Sequence, residues 1–136
     1  MQLNETIEKY LNEEMDFSEI LKIFIDIFKS DIFINKFNEE VKKFGIKLQI
    51  DKVELNKKDN DILVHMSQKT VQSIEQQKLA IIGRKILINL LELKGFKVLN
   101  KGSSVPIVRI DNDEYRFVFS TYMYGVYRTF LNKIRK

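Results

Sequence analysis

A chain of 136 residues and 16.2 kDa has room for one domain around one core. Hydrophobic residues at 44% and charged residues at 31% are the balance of a folded chain rather than a disordered one. No Cys and a single His exclude a disulfide framework, a thiolate metal site, a cysteine nucleophile and a histidine cluster, so neither metal nor cofactor is expected. No apolar run approaches the roughly 18 residues of a membrane-spanning helix. The opening MQLNETIEKYLNEE lacks the basic start and apolar core of a secretory signal. The expectation is a soluble cytoplasmic protein without a membrane partner.

The net charge of +4 is unevenly spread. Residues 1–68 carry 10 Lys and 14 acids, whereas residues 69–136 carry 8 Lys, all 5 Arg and 5 acids. An acidic helical N-terminal half and a basic C-terminal half are therefore expected within one domain spanning 1–136. A basic face of this kind suits nucleic acid or an acidic partner, and Arg suits phosphate and carboxylate forks better than Lys. The abundance of Lys, Ile and Asn against one Ala and one Pro tracks AT-rich codons. It points to a low-GC bacterium, or to a phage or plasmid living in one.

In chain order, a first helix is expected from the cap Asn4, with Ile7, Tyr10 and Leu11 on one face. Asp16 and Glu19 form a capping box for a second helix carrying Phe17, Ile20, Leu21, Phe24, Ile27 and Phe28 at helical spacing. Ser30 or Asp31 caps a third, with Phe33, Phe37, Val41 and Phe44 apolar, and Gly45 ends it. The period then changes to two. Ile46, Leu48 and Ile50 alternate with polar residues, and Val53 and Leu55 continue out of phase, which predicts a bulge near Lys52. NKKDND at 56–61 is a turn, and Ile62, Val64 and Met66 return. A long helix is predicted from about Thr70 to Lys94, with Ile82, Ile86, Leu90 and Leu93 as its buried spine. Gly83 within it allows another element to approach closely.

FKVLN then forms a short strand, and VPIVRI and YRFVFS flank DNDE as an antiparallel hairpin. From Thr121 the spacing of Met123, Tyr127, Phe130, Leu131 and Ile134 predicts a closing helix. The order ααα-ββ-α-βββ-α describes a single α+β domain, a mostly antiparallel sheet of about five strands with helices packed on it.

Little in the chain points to catalysis. His65 lies on a strand with no nucleophile motif near it and reads as a surface or packed residue. Asp111, Asp113 and Glu114 serve the hairpin turn rather than a cation. No P-loop or dinucleotide fingerprint is present. The run from Leu90 to Ser120, LLELKGFKVLNKGSSVPIVRIDNDEYRFVFS, resembles the core of PD-(D/E)xK nucleases in its order of helix, GF-V strand and hairpin. That family carries an Asp near the start of the first hairpin strand and an acid-x-Lys triplet on the second. Here Ile107 follows Pro106, and the second strand ends Phe117-Val118-Phe119-Ser120. The resemblance therefore implies a relative that binds without cutting.

The binding residues come from the basic half. A hairpin turn of two or four residues sets Val108, Ile110, Tyr115, Phe117 and Phe119 on a core face. With either turn Arg109 is expected opposite Arg116 on the other face, a like-charge pair that an anion would relieve. Tyr115, Tyr122, Tyr124 and Tyr127 cluster beside Arg116 and Arg128. Tyr127 falls in phase with the apolar face and Tyr122 and Tyr124 out of it, and Tyr is an interface residue able to stack a base or anchor a protein. The expected binding set is Arg109, Arg116, Tyr122, Tyr124 and Arg128. The expected function is that of a non-enzymatic nucleic-acid-binding accessory protein of a phage, plasmid or other mobile element. The alternative is a protein-binding regulator or inhibitor, for example a phage-encoded anti-defence protein. It would use the same Arg/Tyr face on a protein or nucleoprotein partner with an acidic surface. A homodimer is compatible with either.

Overall fold

A computed structural model describes residues 17–68 and 74–134; the helix expected from Asn4 lies outside them. Helix α1 covers 17–29, and α2 is Asp31–Val41. Ser30 joins the two. Its hydroxyl donates to the Ile27 carbonyl at 2.6 Å and accepts from the Phe33 amide at 3.4 Å, so one side chain serves the end of α1 and the start of α2. Phe33, Phe37 and Val41 are buried. A 3-10 turn at Lys42–Phe44 ends on Gly45 at φ 72°, the left-handed conformation expected of that glycine.

Strand β1 is Leu48–Asn56 and β2 is Asp61–Gln68, paired antiparallel with the expected irregularity between Ile50 and Lys52. Helix α3 is Gln76–Leu93, so it begins later than the predicted Thr70; Ile74 and Glu75 are not helical. The remaining elements are β3 (Lys97–Leu99), β4 (Ile107–Ile110), β5 (Asp113–Phe117), β6 (Ser120–Met123) and β7 (Val126–Lys133). This is a single α+β domain with an antiparallel sheet in the order β1-β2-β7-β5-β4-β3, and β6 also pairs with β7.

Helices and strands follow one another in the expected order as far as β5. The sheet then has seven strands rather than about five, because the segment from Thr121 is a β-hairpin and not a helix. Tyr127 and Leu131 are four residues apart, a spacing that serves one helix face and one strand face equally well. The composition of TYMYGVYRTF decides against the helix. It is rich in Thr, Val, Tyr and Phe, which favour a pleated surface. Gly125, at φ 76°, makes the turn.

All three helices cover one face of the sheet. Phe17, Phe24 and Phe28 of α1 meet Tyr115, Phe117 and Phe119 at ring-centroid separations of 6.5, 5.4 and 5.8 Å. Phe119 also lies flat on Tyr127, 5.4 Å away with 1° between planes. Helix α3 packs on α2, β3 and β6. Its buried spine is Leu79, Ala80, Gly83, Ile86, Leu87, Leu90 and Leu91. Of the predicted spine, Ile86 and Leu90 are buried, Ile82 is half-buried and Leu93 is 69% exposed. Leu93 falls on the flank of the stripe that Leu79, Gly83, Leu87 and Leu90 form, so it is exposed although Leu90 and Leu91 in the same turn are buried.

Gly83 permits the close approach expected of it. A β-carbon there would overlap the buried Phe119 ring, which Tyr127 and Phe28 hold in place. Gly83→Ala should therefore destabilise by about 1–3 kcal/mol, although alanine gains about 1 kcal/mol in helix propensity. Leu90→Ala should cost about 2–5 kcal/mol, and Leu93→Ala less than about 0.5 kcal/mol. Urea unfolding checks all three, and equal losses at Leu90 and Leu93 would contradict this packing.

Tyr127 supplies a pH signature. Burial pushes its phenol up to about 12, against an opposing hydrogen bond from Gln76 and with a smaller upward contribution from Tyr124. The unfolded chain releases this proton near 10. The contribution to stability is thus complete below pH 10 and is lost as pH rises toward 12. Between those limits the wild type should lose more stability than Tyr127→Phe. Equal losses in urea titrations would show that the hydroxyl is solvated.

Candidate nucleic-acid interface

Strand alternation sorts the side chains of the sheet. On β7, Tyr127, Thr129 and Leu131 are buried toward the helices, so Val126, Arg128, Phe130 and Asn132 take the opposite face. Residues paired across a ladder share a face, and the register carries this assignment outward. Arg116 pairs with Asn132 and Ser120 with Arg128. Arg109 pairs with Glu114, two residues from Arg116, and Lys97 pairs with Arg109. On the other side, Leu63 pairs with Arg128 and Asp61 with Phe130. Arg109, Arg116 and Arg128, predicted from sequence as binding residues, therefore share one face with Lys97. Among the described residues no helix packs on it.

The expected opposition of Arg109 and Arg116 does not occur. The turn is two residues long, with Asp111 at φ 55°, and it sets Arg109 opposite Glu114, Val108 opposite Tyr115 and Ile107 opposite Arg116. Arg109 donates to Glu114 at 2.8 Å. Its like-charged neighbour across a ladder is Lys97 instead. Arg116 is exposed, flanked by Ile107 and Asn132, and makes no ion pair among the described residues. The turn acids have local uses: Glu114 pairs with Arg109 and Asp113 lies 3.5 Å from Lys133.

Arg128 is the most constrained cation of the face. Its Nε donates to the Asp61 carboxylate at 2.7 Å, and that carboxylate is only 6% exposed. Its guanidinium lies 4.7 Å from the centre of the Phe130 ring, within the range of cation–π attraction. The second Asp61 oxygen is buried without a hydrogen-bond partner. Farther along the face, Lys52 bonds Glu54 at 2.6 Å, and this contact holds the Glu54 carboxyl below its usual range. His65 stands opposite Lys52 with its Nε2 3.9 Å from Glu54.

The tyrosines divide. Tyr115 and Tyr127 are 2% exposed and belong to the core. Tyr122 and Tyr124 are 50% and 90% exposed, and with Met123 they form the tip of the β6–β7 hairpin. This tip is away from the row Lys97–Arg109–Arg116, so the structure does not bring all five predicted site residues into one cluster. Lys97 and Phe130 join the face without having been predicted. Reading VYRTFLNK with period two, as its Val, Tyr, Thr and Phe content favours, would have placed Phe130 beside Arg128 and away from Tyr127. Nothing local in FKVLN reveals Lys97, because its place depends on pairing with β4.

Arginines at this spacing can hold phosphate oxygens or carboxylates through forked hydrogen bonds, and the Arg128–Phe130 stack presents a planar cation. Among the described residues no group of three or more His, Cys, Asp or Glu side chains could hold a metal ion. Comparison of the chain with protein-family models, with curated proteins and with solved structures gave no match.

Proposed function

We propose that the protein binds nucleic acid through the face of its sheet on which no described helix packs, and performs no chemistry on it. In this reading it is an accessory protein of a phage, plasmid or other mobile element that works in the cytoplasm. The observation that supports it is the register: four cations from four strands, Lys97, Arg109, Arg116 and Arg128, fall on one face, which no helix of the described residues covers. Glu114 and Asp61 offset two of them, whereas Arg116 and Lys97 form no ion pair among the described residues. Phosphates would engage these two first, since no internal contact has to be broken. No helix of the described residues is long and apolar enough to cross a membrane.

A second reading has its own support. Tyr122, Met123 and Tyr124 are consecutive and exposed, and aromatic and Met side chains are enriched where proteins meet. In that reading the hairpin tip anchors an acidic protein partner, and the arginines flank the contact.

Gel shifts on mixed-sequence oligonucleotides at rising salt separate the two. Phosphate contacts predict that the logarithm of affinity falls linearly with the logarithm of salt, by about 0.9 per phosphate neutralised on duplex and about 0.7 on single strands. Reversing Arg109 and Arg116 to Glu should weaken binding at least tenfold and flatten that slope. Circular dichroism should show the same variant folded though less stable than wild type, because the Glu114 side chain is only 17% exposed and the reversal sets a like charge directly opposite it. Wild-type protein that shifts no oligonucleotide at any salt would overturn the nucleic-acid reading and leave the protein partner.

A further inference from the structure

We infer that the ligand of this face is a single strand, and that a base stacks on the guanidinium of Arg128. This rests on the nucleic-acid reading above and narrows it. The first ground is the shape of the face. β7 pairs with β2 and β6 through its first half and with β5 through its last residues. Four strands therefore stand side by side at either end of it, β1-β2-β7-β6 and β7-β5-β4-β3, and at about 4.8 Å per strand each stretch is roughly 14 Å wide. A major groove is about 12 Å wide and admits a helix or a two-stranded ribbon, not the flat of a sheet. A duplex could meet this face only through its outer phosphates, whereas a single strand can lie on it with its bases turned toward the protein.

The second ground is the construction around Arg128. Phe130 lies under the guanidinium, 4.7 Å from ring centre to Cζ. Asp61, itself nearly buried, grips Nε at 2.7 Å. Ring below and carboxylate at the side hold a long, flexible side chain in one plane, while 39% of that side chain stays exposed. A surface cation that met only phosphate would need no such fixation, since phosphate attraction tolerates a mobile charge. A planar, oriented guanidinium is what a base stacks upon, and Lys could not replace it. Asp61 is in this sense a positioning residue, acting on the ligand through Arg128. Arg116 stands one strand from β7 opposite Asn132, and Arg109 one strand farther opposite Glu114. They lie about 14 and about 22 Å from Arg128, where they can hold the backbone of nucleotides beyond the stacked one.

The test measures fluorescence anisotropy at one salt concentration with four probes: oligo(dT), oligo(U), a mixed-sequence duplex, and an abasic strand with the same number of phosphates. The expected result is that oligo(dT) or oligo(U) binds at least tenfold tighter than both the duplex and the abasic strand. Arg128→Lys, which keeps the charge, and Phe130→Leu, which keeps an apolar residue on the strand, should each erase most of that preference. Phe130→Leu should leave affinity for the abasic strand within about twofold. Equal affinity for all four probes would overturn the single-strand inference while sparing the phosphate-binding reading, and a duplex preference would do the same. Binding to none would overturn both. The wild-type comparison with the abasic strand decides the matter even where a variant folds poorly.

Discussion

The pairing of β7 with β2 on one edge and with β5 and β6 on the other is the contact on which this fold depends. Without it the strands fall into a β1–β2 hairpin and a separate β3–β4–β5 meander, with α3 between them in the chain. A two-stranded hairpin is marginal by itself in water. By running through the centre of the sheet, β7 converts these parts into one surface wide enough for three helices. The partners Asp61 and Phe130 are far apart in sequence, so the pairing repays a large loop-closure cost only once the flanking elements are also in place.

Phe119 shows how that closure is locked. It sits between β5 and β6, where the strand is interrupted, and it is 1% exposed. It stacks on Tyr127 of β7 and meets Phe28 of α1 and Phe33 of α2. The absent side chain of Gly83 gives it room under α3. One ring therefore touches two helices and the central strand and fills the space under a third helix. Close packing of this kind makes the helix-covered face a core rather than a surface.

On that other face the charges are mostly exposed and contribute little to stability. The Arg128–Asp61 pair differs because its carboxylate is nearly buried. Removing Arg128 would leave a desolvated charge unpaired, so the pair must be kept or replaced as a unit. An arginine held in this way has lost much of its rotamer freedom before any ligand arrives, which lowers the entropic cost of binding.

The sequence by itself determined the elements whose signal is local. Phe24, Phe28, Phe33 and Phe37 recur at helical spacing, and helices form there. The phase change after Ile50 announced the bulge at Lys52, and the alternation of Val108, Ile110, Tyr115 and Phe117 marked the core face of the hairpin. Such patterns are legible because near neighbours in sequence share one periodicity and one solvent boundary. The sequence also singled out Arg109, Arg116 and Arg128 through their segregation into the basic half. Only the tertiary structure decided that they share a face, that Arg109 meets Glu114 and Lys97 rather than Arg116, and that Phe130 lies under Arg128. The spacing of Tyr127 and Leu131 satisfied helix and strand alike, and the choice fell to β2 and β5, which offered β7 hydrogen-bonding edges on both sides. Register depends on turn length and on partners distant in the chain, and a shift of two residues changes every charged neighbour while leaving the hydrophobic pattern untouched.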